Sequence, residues 1–514
     1  MQTVTALDRA GSAEQAGNRG WQVRLWLAQL LVGLAAYVVA IGAAAKLLND
    51  GDTLSHLAIG RWIIEHRAIP FHDPFSYTFP GATWVPHAWL AEVIFAAIYG
   101  WLGWGGVVAV TGWAVATAFA LLTRALQRSL APRRAAIGAA LAFLLTEGHL
   151  LARPHALALP LLVIWMSGVI RARDEARSPS LGLLPVMMLW CNLHGGFVVG
   201  LFFAGLLAAE AALDASAAAR PGVLRGWGAF LVLAGLSALA SPNGVGAFLL
   251  PIDMLRMSFA LSSISEWHSV DFARFDPLQL WLWLAIAGGF SLRLRLPWPR
   301  TLMVLLLLYL ALTHVRNEEL LGIIAPLLLA APLAGHLRSL STQGRPVDRG
   351  QRSTAMPLAA LATIAAGVLA TAAVLDRRGL EPHGDVAPAA AVEAAREAGL
   401  GGHVFNSIRF GGYLLFSGIP SFVDGRADLF GDVFLQRYVE ASNVIGEALP
   451  ALLDQYAVAW TLLEPRSPAV SLLDHLPGWE RVYADPFAVV HRREMPSDRC
   501  GAGHGPKTTT DSAV

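Results

Sequence analysis

The chain has 514 residues, of which 55% are hydrophobic and only 15% charged, against roughly 25% charged in an ordinary soluble domain. With a mean hydropathy of +0.51, this excludes a purely soluble protein. A formal net charge of +1 gives no global basic field of the kind a nucleic-acid partner needs, and two cysteines, Cys191 and Cys500, supply neither a disulfide framework nor a CxxC site.

A polar segment, residues 1–25, carries Arg9, Arg19 and Arg24 and precedes an apolar run from Trp26 to Leu48. That run is of about bilayer-spanning length and too long for a signal-peptide core. Because the chain passes straight into Asn49-Asp50-Gly51-Asp52, we expect an uncleaved first transmembrane helix with a cytoplasmic amino end. Further apolar runs lie at 104–123, 135–150, 155–170, 180–194, 196–213, 226–241, 277–292, 301–314, 319–336 and 355–375. The expectation is a polytopic helical membrane protein with about eleven spans, the shorter ones tilted or buried in protein.

The positive-inside rule tests that count. Arg124/Arg128/Arg133/Arg134, Arg171/Arg173/Arg177, Arg220/Arg225, Arg293/Arg295/Arg300 and Arg338/Arg345/Arg349/Arg352 all fall on the side of the amino terminus, provided that residues 87–103 do not cross. We therefore read 87–103 as an interfacial helix leading into the next span, with a crossing hairpin as the alternative. An odd number of crossings puts the carboxyl end outside.

With that topology, acids and histidines collect at one face of the bilayer. The first outward loop, 49–103, holds Asp50, Asp52, His56, His72, Asp73 and His87. Later outward turns add Glu147, His149, Arg153 and His155, then His194, then Glu266 and His268, then His314, Arg316, Glu318 and Glu319. Such groups near helix ends are costly unless they meet water, each other or a substrate. Asp50 and Asp52 sit where a general base could meet an aqueous acceptor and a membrane-held donor. The blander reading is that Asp52 or Thr53 caps a helix whose Leu57, Ile59, Trp62 and Ile63 run along the interface.

Arg153 and Arg316, with His155 and His314, are candidate phosphate ligands, unless Glu147 neutralises Arg153 and Glu318 or Glu319 neutralises Arg316. His56, His72, Asp73, His87, His194, Glu266 and His268 are candidate pocket residues. The first-loop acids and histidines offer ligands enough for a divalent metal ion, but with no diagnostic spacing. No GxxxxGK[ST] loop occurs.

From Asp376 the composition becomes mixed, and residues 376–493 read as an outward α/β domain. Helices are expected near 389–399, 432–442, 447–456 and 469–475, strands near 403–406, 421–424 and 457–463, and a hairpin near 480–492. Asp424, Arg426 and Asp428 follow an expected strand, either as a ligand motif or as a turn in which Arg426 pairs with an aspartate. Residues 494–514 read as a disordered tail.

The first-loop segments GDTLSHLAIGRWIIEH and HDPFSYTFPGATWVPHAWLAEVIFAAIYGWLG, with ARPHAL at 152, NLHGGFVVG at 192, SPNG at 241, HVRN at 314 and FVDGRADLFGD at 422, resemble the GT-C class of membrane glycosyltransferases. The likeness is to the bacterial branch described as dolichyl-phosphate-mannose or aminoarabinose transferase-like. The resemblance implies transfer of a sugar from a polyprenyl-phosphate carrier, a first-loop Asp as base, and basic residues on the carrier phosphate. Many relatives have adjacent acids where this chain has Asp-Gly-Asp, so which aspartate is the base stays open. The rival reading is a lipid or glycolipid flippase, which would favour internal repeats and midplane polar groups.

Overall fold

The computed structural model describes residues 23–263, 265–292, 296–340 and 358–494. The segment 1–22, Arg293 and Arg295, the arginines from 341 to 357 and the tail beyond 494 lie outside them. Helices α1 (Val23–Gly42), α2 (Gly51–His66), α3 (Trp89–Leu126), α4 (Pro132–Glu147), α5 (Pro154–Asp174), α6 (Leu181–Leu193), α7 (Phe197–Asp214) and α8 (Arg220–Ala238) form the first part of a bundle. It continues with α9 (Gly246–Arg256), α10 (Ser258–Ser263), α11 (Pro277–Leu292), α12 (Trp298–Thr313), α13 (Glu318–Leu340) and α14 (Leu358–Arg377). Every apolar run of the sequence coincides with a helix, the last from Leu358 onward. Six helices among the described residues are long and apolar enough to cross a membrane, and two apolar helices are shorter.

The outer faces agree with lipid contact. Leu27, Leu30, Leu34 and Val38 of α1, Val232 and Leu236 of α8, Trp283 and Phe290 of α11, and Leu302, Leu305 and Tyr309 of α12 are all exposed, apolar surface that water would not tolerate over such an area. Inside, one continuous core runs from Leu47 and Phe119 through Trp165 and Phe203 to Leu328.

α3 consists of two helical arms that meet at a kink at Gly103, whose φ of 57° only glycine adopts readily. The break separates an arm from Trp89 to Leu102 from one starting at Trp104 that is of about bilayer length. The first arm covers most of residues 87–103, the stretch read from the sequence as an interfacial helix. α2 differs from expectation: Leu57, Ile59 and Ile63 are buried because α2 is packed between α3 and the carboxyl-terminal domain, not laid on lipid. At Gly60 a Cβ would overlap the backbone of Glu92, so glycine permits the close α2–α3 approach.

The carboxyl-terminal domain contains α15 (Ala389–Glu397), β1 (His403–Asn406), α16 (Ile408–Phe416), α17 (Ala427–Ser442), α18 (Ala448–Gln455), β2 (Val458–Leu463), α19 (Pro468–Leu473), β3 (Trp479–Ala484) and β4 (Val489–Arg493). Its sheet has the order β1-β2-β4-β3, with β1 parallel to β2 and the remaining pairs antiparallel. Two sequence expectations fail in this domain. α16 has no counterpart among the expected helices, and residues 421–424 are not a strand of this sheet. Instead Ser421 bridges Ser76 of the first loop, and Ser421 and Asp424 are fully buried.

The boundary at 376 is therefore not a boundary of packing. Ile59, Ile63 and Trp84 from the first loop share one hydrophobic core with Phe405, Phe422, Phe430 and Leu453. Tyr77 Oη donates to the Val404 carbonyl at 2.9 Å, and Thr78 Oγ1 to that of Phe422 at 2.8 Å. The first loop belongs mechanically to the carboxyl-terminal domain while remaining covalently part of the helical bundle.

Candidate functional site

The site begins where α1's short continuation, Ala44–Leu48, ends. Asp50, in extended backbone, caps α2: its carboxylate accepts from Thr53 N at 3.1 Å. This corrects the assignment of the cap to Asp52 or Thr53. Across from it, Pro154 opens α5 with the preset φ that a first helical turn favours, which leaves Arg153 at the mouth of the helix. A backbone bond of 2.9 Å from Ala152 to Leu47 ties the two turns together.

Arg153 is the hub. Its Nε and Nη2 donate to the two oxygens of Asp50 at 2.6 and 2.5 Å, a bidentate fork with both charge and geometry in its favour. Nη2 also lies 3.2 Å from Asp52, and Nη1 lies 2.9 Å from Glu266. Three acids thus converge on one guanidinium. Glu147 does not join them, because it pairs with Lys46 at 3.1 Å.

The two aspartates are unequal. Burial opposes ionisation of Asp50, but the Arg153 guanidinium outweighs it and holds the carboxyl below its ordinary value. For Asp52 burial wins: its proton affinity is raised, with Arg153 compensating only in part and the neighbouring Asp50 charge adding to the shift. The Asp50 side chain is 10% exposed and that of Asp52 is 31% exposed. Asp50 is held by the Arg153 fork and by the cap of α2, whereas Asp52 makes a single longer contact to Arg153 and is the more open of the two carboxylates.

Around this pair, Arg316 approaches Glu266 at 3.9 Å and lies over the Trp267 ring at 4.6 Å. It is less tightly engaged than Arg153. Glu318 pairs with His149 at 3.6 Å rather than with Arg316. The His314 ring is turned to the Trp267 carbonyl, 2.7 Å from Nδ1. His155 and His194 face each other edge to face at 6.3 Å. His194 Nδ1 accepts from Gly196 N at 3.1 Å, and burial together with the fields of His155, His87 and Arg316 keeps its ring neutral, well below the ordinary histidine value. His56 meets Glu92 at 3.0 Å. Glu92 is buried, and its other oxygen has no partner among the described residues.

The carboxyl-terminal domain forms the roof. Gly425 lies so close to Asp52 that a Cβ there would overlap its carboxylate. Beside it Arg426 is buried between two acids, donating to Asp424 at 2.8 and 2.7 Å and to Asp73 at 2.6 Å. The turn reading of this motif is thus right for Asp424 and incomplete, since the second anion, Asp73, comes from the first loop. Asp428 instead accepts from Trp84 Nε1 at 3.1 Å. Burial raises its proton affinity, with His87 and Arg426 opposing. Asp428 and Trp84 line a cleft of about 180 Å³ between the first loop, α9 and α17.

Not every candidate reaches the centre. His72 is exposed on the β-bridge with Thr83. His268 is exposed and turned to the Ser262 carbonyl at 2.9 Å. Asp73 is absorbed by Arg426 and by the turn it caps at Phe75 and Ser76. Among the described residues no group of three or more His, Cys, Asp or Glu side chains is placed to hold a metal ion, so the first-loop acids and histidines do not form the divalent-metal set considered for them. Conversely, Glu92, Trp267 and Gly425 carry no signal in the sequence that marks them as site residues. Glu92 lies in an apolar arm and is locatable only through His56.

No family model and no curated protein matches the sequence. Among solved structures, the chain is similar to the Archaeoglobus fulgidus oligosaccharyltransferase tethered to an acceptor peptide, at 10% identity and a TM-score of 0.49, covering 84% of this chain and 68% of that one. It is also similar to ArnT from Cupriavidus metallidurans bound to undecaprenyl phosphate, at 15% identity and a TM-score of 0.47, covering 92% of this chain and 98% of that one.

Proposed function

We propose that this chain is a multi-pass bacterial inner-membrane glycosyltransferase of the GT-C class, taking a sugar from a polyprenyl-phosphate carrier and transferring it to an extracytoplasmic acceptor. The observation that carries this reading is the unequal pair Asp50 and Asp52 around Arg153. Asp50, bound by both arms of the Arg153 fork, fixes the site, and beside it Asp52 makes one longer contact to Arg153 and keeps more of its side chain open. That is the arrangement a general base needs at the end of a membrane span.

In this mechanism Asp52 takes the proton from an acceptor hydroxyl or amine as its oxygen or nitrogen bonds to the anomeric carbon. The bond from that carbon to the phosphate oxygen breaks, and its electron pair leaves with the polyprenyl phosphate. A single displacement inverts the anomeric centre. The departing phosphate gains negative charge, which Arg316 meets most readily, because its one ion pair among the described residues is the long contact to Glu266 at 3.9 Å. Arg153 contributes through Nη1, once Glu266 yields its place to the phosphate, while Asp50 keeps the guanidinium oriented. His155, His194 and His314 line the same side. The cleft at Trp84 and Asp428 is the approach we assign to the acceptor.

The test is transfer of label from a radiolabelled polyprenyl-phosphate sugar pool in membranes carrying wild type or Asp52→Asn at matched levels. Transfer by wild type that is lost in the variant supports the reading. Wild type that moves carrier across the bilayer without transferring sugar would replace it with the flippase reading.

A further inference from the structure

The arginines at the opposite end of the bundle are not equivalent. α5 carries Arg153 at one end and Arg171 at the other, about 27 Å away at 1.5 Å per residue. At that far end Arg173 is paired with Glu210 and Asp214, and Arg300 with Asp174 and Glu210. These cations are neutralised within the protein.

Next to them lies a cavity of about 270 Å³ lined by Arg124, Arg128, Arg171 and Arg177 together with Leu121, Ile164 and Leu183. Of these four guanidiniums only two meet a carboxylate: Glu175 sits 2.7 Å from both Arg171 and Arg177. Arg124 and Arg128, one helical turn apart at the end of α3, have no ion pair or side-chain hydrogen bond among the described residues. Like charges so gathered repel unless an anion joins them, and guanidiniums are suited to a phosphate's paired oxygens. Positive-inside bias places arginines in loops, but it does not require them to converge on one cavity. The apolar wall adds a second requirement: the ligand should carry hydrocarbon next to its charge.

We infer that this cavity is a binding site for the phosphate head of an anionic membrane lipid, remote from the transfer site and independent of the function proposed for it. Arg124 and Arg128 supply the unshared charge; Leu121, Ile164 and Leu183 receive the adjoining acyl or glycerol carbons. Because Arg171 and Arg177 already bind Glu175, they complete the site without being its main source of affinity.

The experiment is native mass spectrometry of the purified full chain titrated with phosphatidylglycerol, phosphatidylcholine or inorganic phosphate. Wild type should retain phosphatidylglycerol about tenfold more tightly than phosphatidylcholine. An Arg124→Gln/Arg128→Gln double variant should lose that preference at unchanged melting temperature, and Arg124→Lys/Arg128→Lys should recover part of it. Arg133→Gln/Arg134→Gln, on the adjacent exposed turn, should keep it. A preference that survives Arg124→Gln/Arg128→Gln, or that falls equally with Arg133→Gln/Arg134→Gln, would overturn the site. Displacement of phosphatidylglycerol by equimolar inorganic phosphate would overturn the lipid assignment.

Discussion

Two charged networks occupy opposite ends of the helical bundle and are built differently. At one end Arg300, 4% exposed, is matched to Asp174 and Glu210 and also donates to the Leu328 carbonyl at 3.0 Å. At the other, Arg153 gathers three acids, one of which keeps a raised proton affinity and about a third of its side chain in the open. The first network holds helices α5, α7, α12 and α13 in register. The second leaves one group poised to exchange a proton. Both networks join two arginines to three acids, so what separates them is burial: Arg300 and Glu210 are 4% and 2% exposed, whereas Asp52 keeps about a third of its side chain open.

The contrast breaks most sharply at Asp52. Asp52→Asn should lower transfer by about 10²- to 10⁴-fold, the range for a lost general base, with little change in melting temperature. Asp50→Asn should instead lower the melting temperature, because it removes the charge and half of the Arg153 fork, although asparagine can still cap α2. If the two variants exchanged these phenotypes, the roles of the two aspartates would be reversed. Matched assays of label transfer and thermal unfolding decide it.

Arg300→Met tests the other end. Removing one partner of a buried network leaves its acids uncompensated, at a cost of about 3–5 kcal/mol. Unfolding in detergent should show that loss while activity per folded molecule stays the same. A fall in specific activity at unchanged stability would contradict the division between the two ends.

A smaller effect is expected at the roof. The overlap created by Gly425→Ala falls on the Asp52 carboxylate, the free end of a side chain, so the loop should displace Asp52 rather than unfold. We expect about a tenfold drop in kcat with stability nearly intact, since small misplacements of a reacting group are costly. A wild-type kcat would show that Asp52 does not need its present position.

The smallest effect is in the pH profile, and its sign differs between the two aspartates. Asp52 works only when deprotonated, so its raised affinity moves the acid limb of kcat/KM above the ordinary aspartate value, and Asp52→Glu should move that limb. For Asp50, whose folded value is depressed, the stabilisation is present above about 3.9, the unfolded value, and is lost as pH falls through the folded value. Activity should therefore decline on acidification before Asp50 loosens the fold. Coincident loss of both would show that one group governs the two properties.

Much of this was legible in the chain itself. Apolar runs of the observed lengths have few alternatives to helices. Asp50, Asp52, Arg153, Glu266 and Arg316 could be proposed because charged groups at span ends are unusual. Their division of labour could not. Asp50 rather than Asp52 caps α2 because Arg153, distant in sequence, draws it into place; His72 and His268 resemble the other histidines in sequence but face away.

The helical membrane class and the α/β character of residues beyond 376 follow from composition and short-range periodicity, and so were present in the amino-acid sequence alone. Only the tertiary structure decided that the first loop and the carboxyl-terminal domain share a core, that Arg426 joins Asp73 to Asp424, and that Gly425 closes over Asp52. Those are contacts between segments far apart in the chain, whose energies depend on burial and distance in space and leave no local pattern in the sequence.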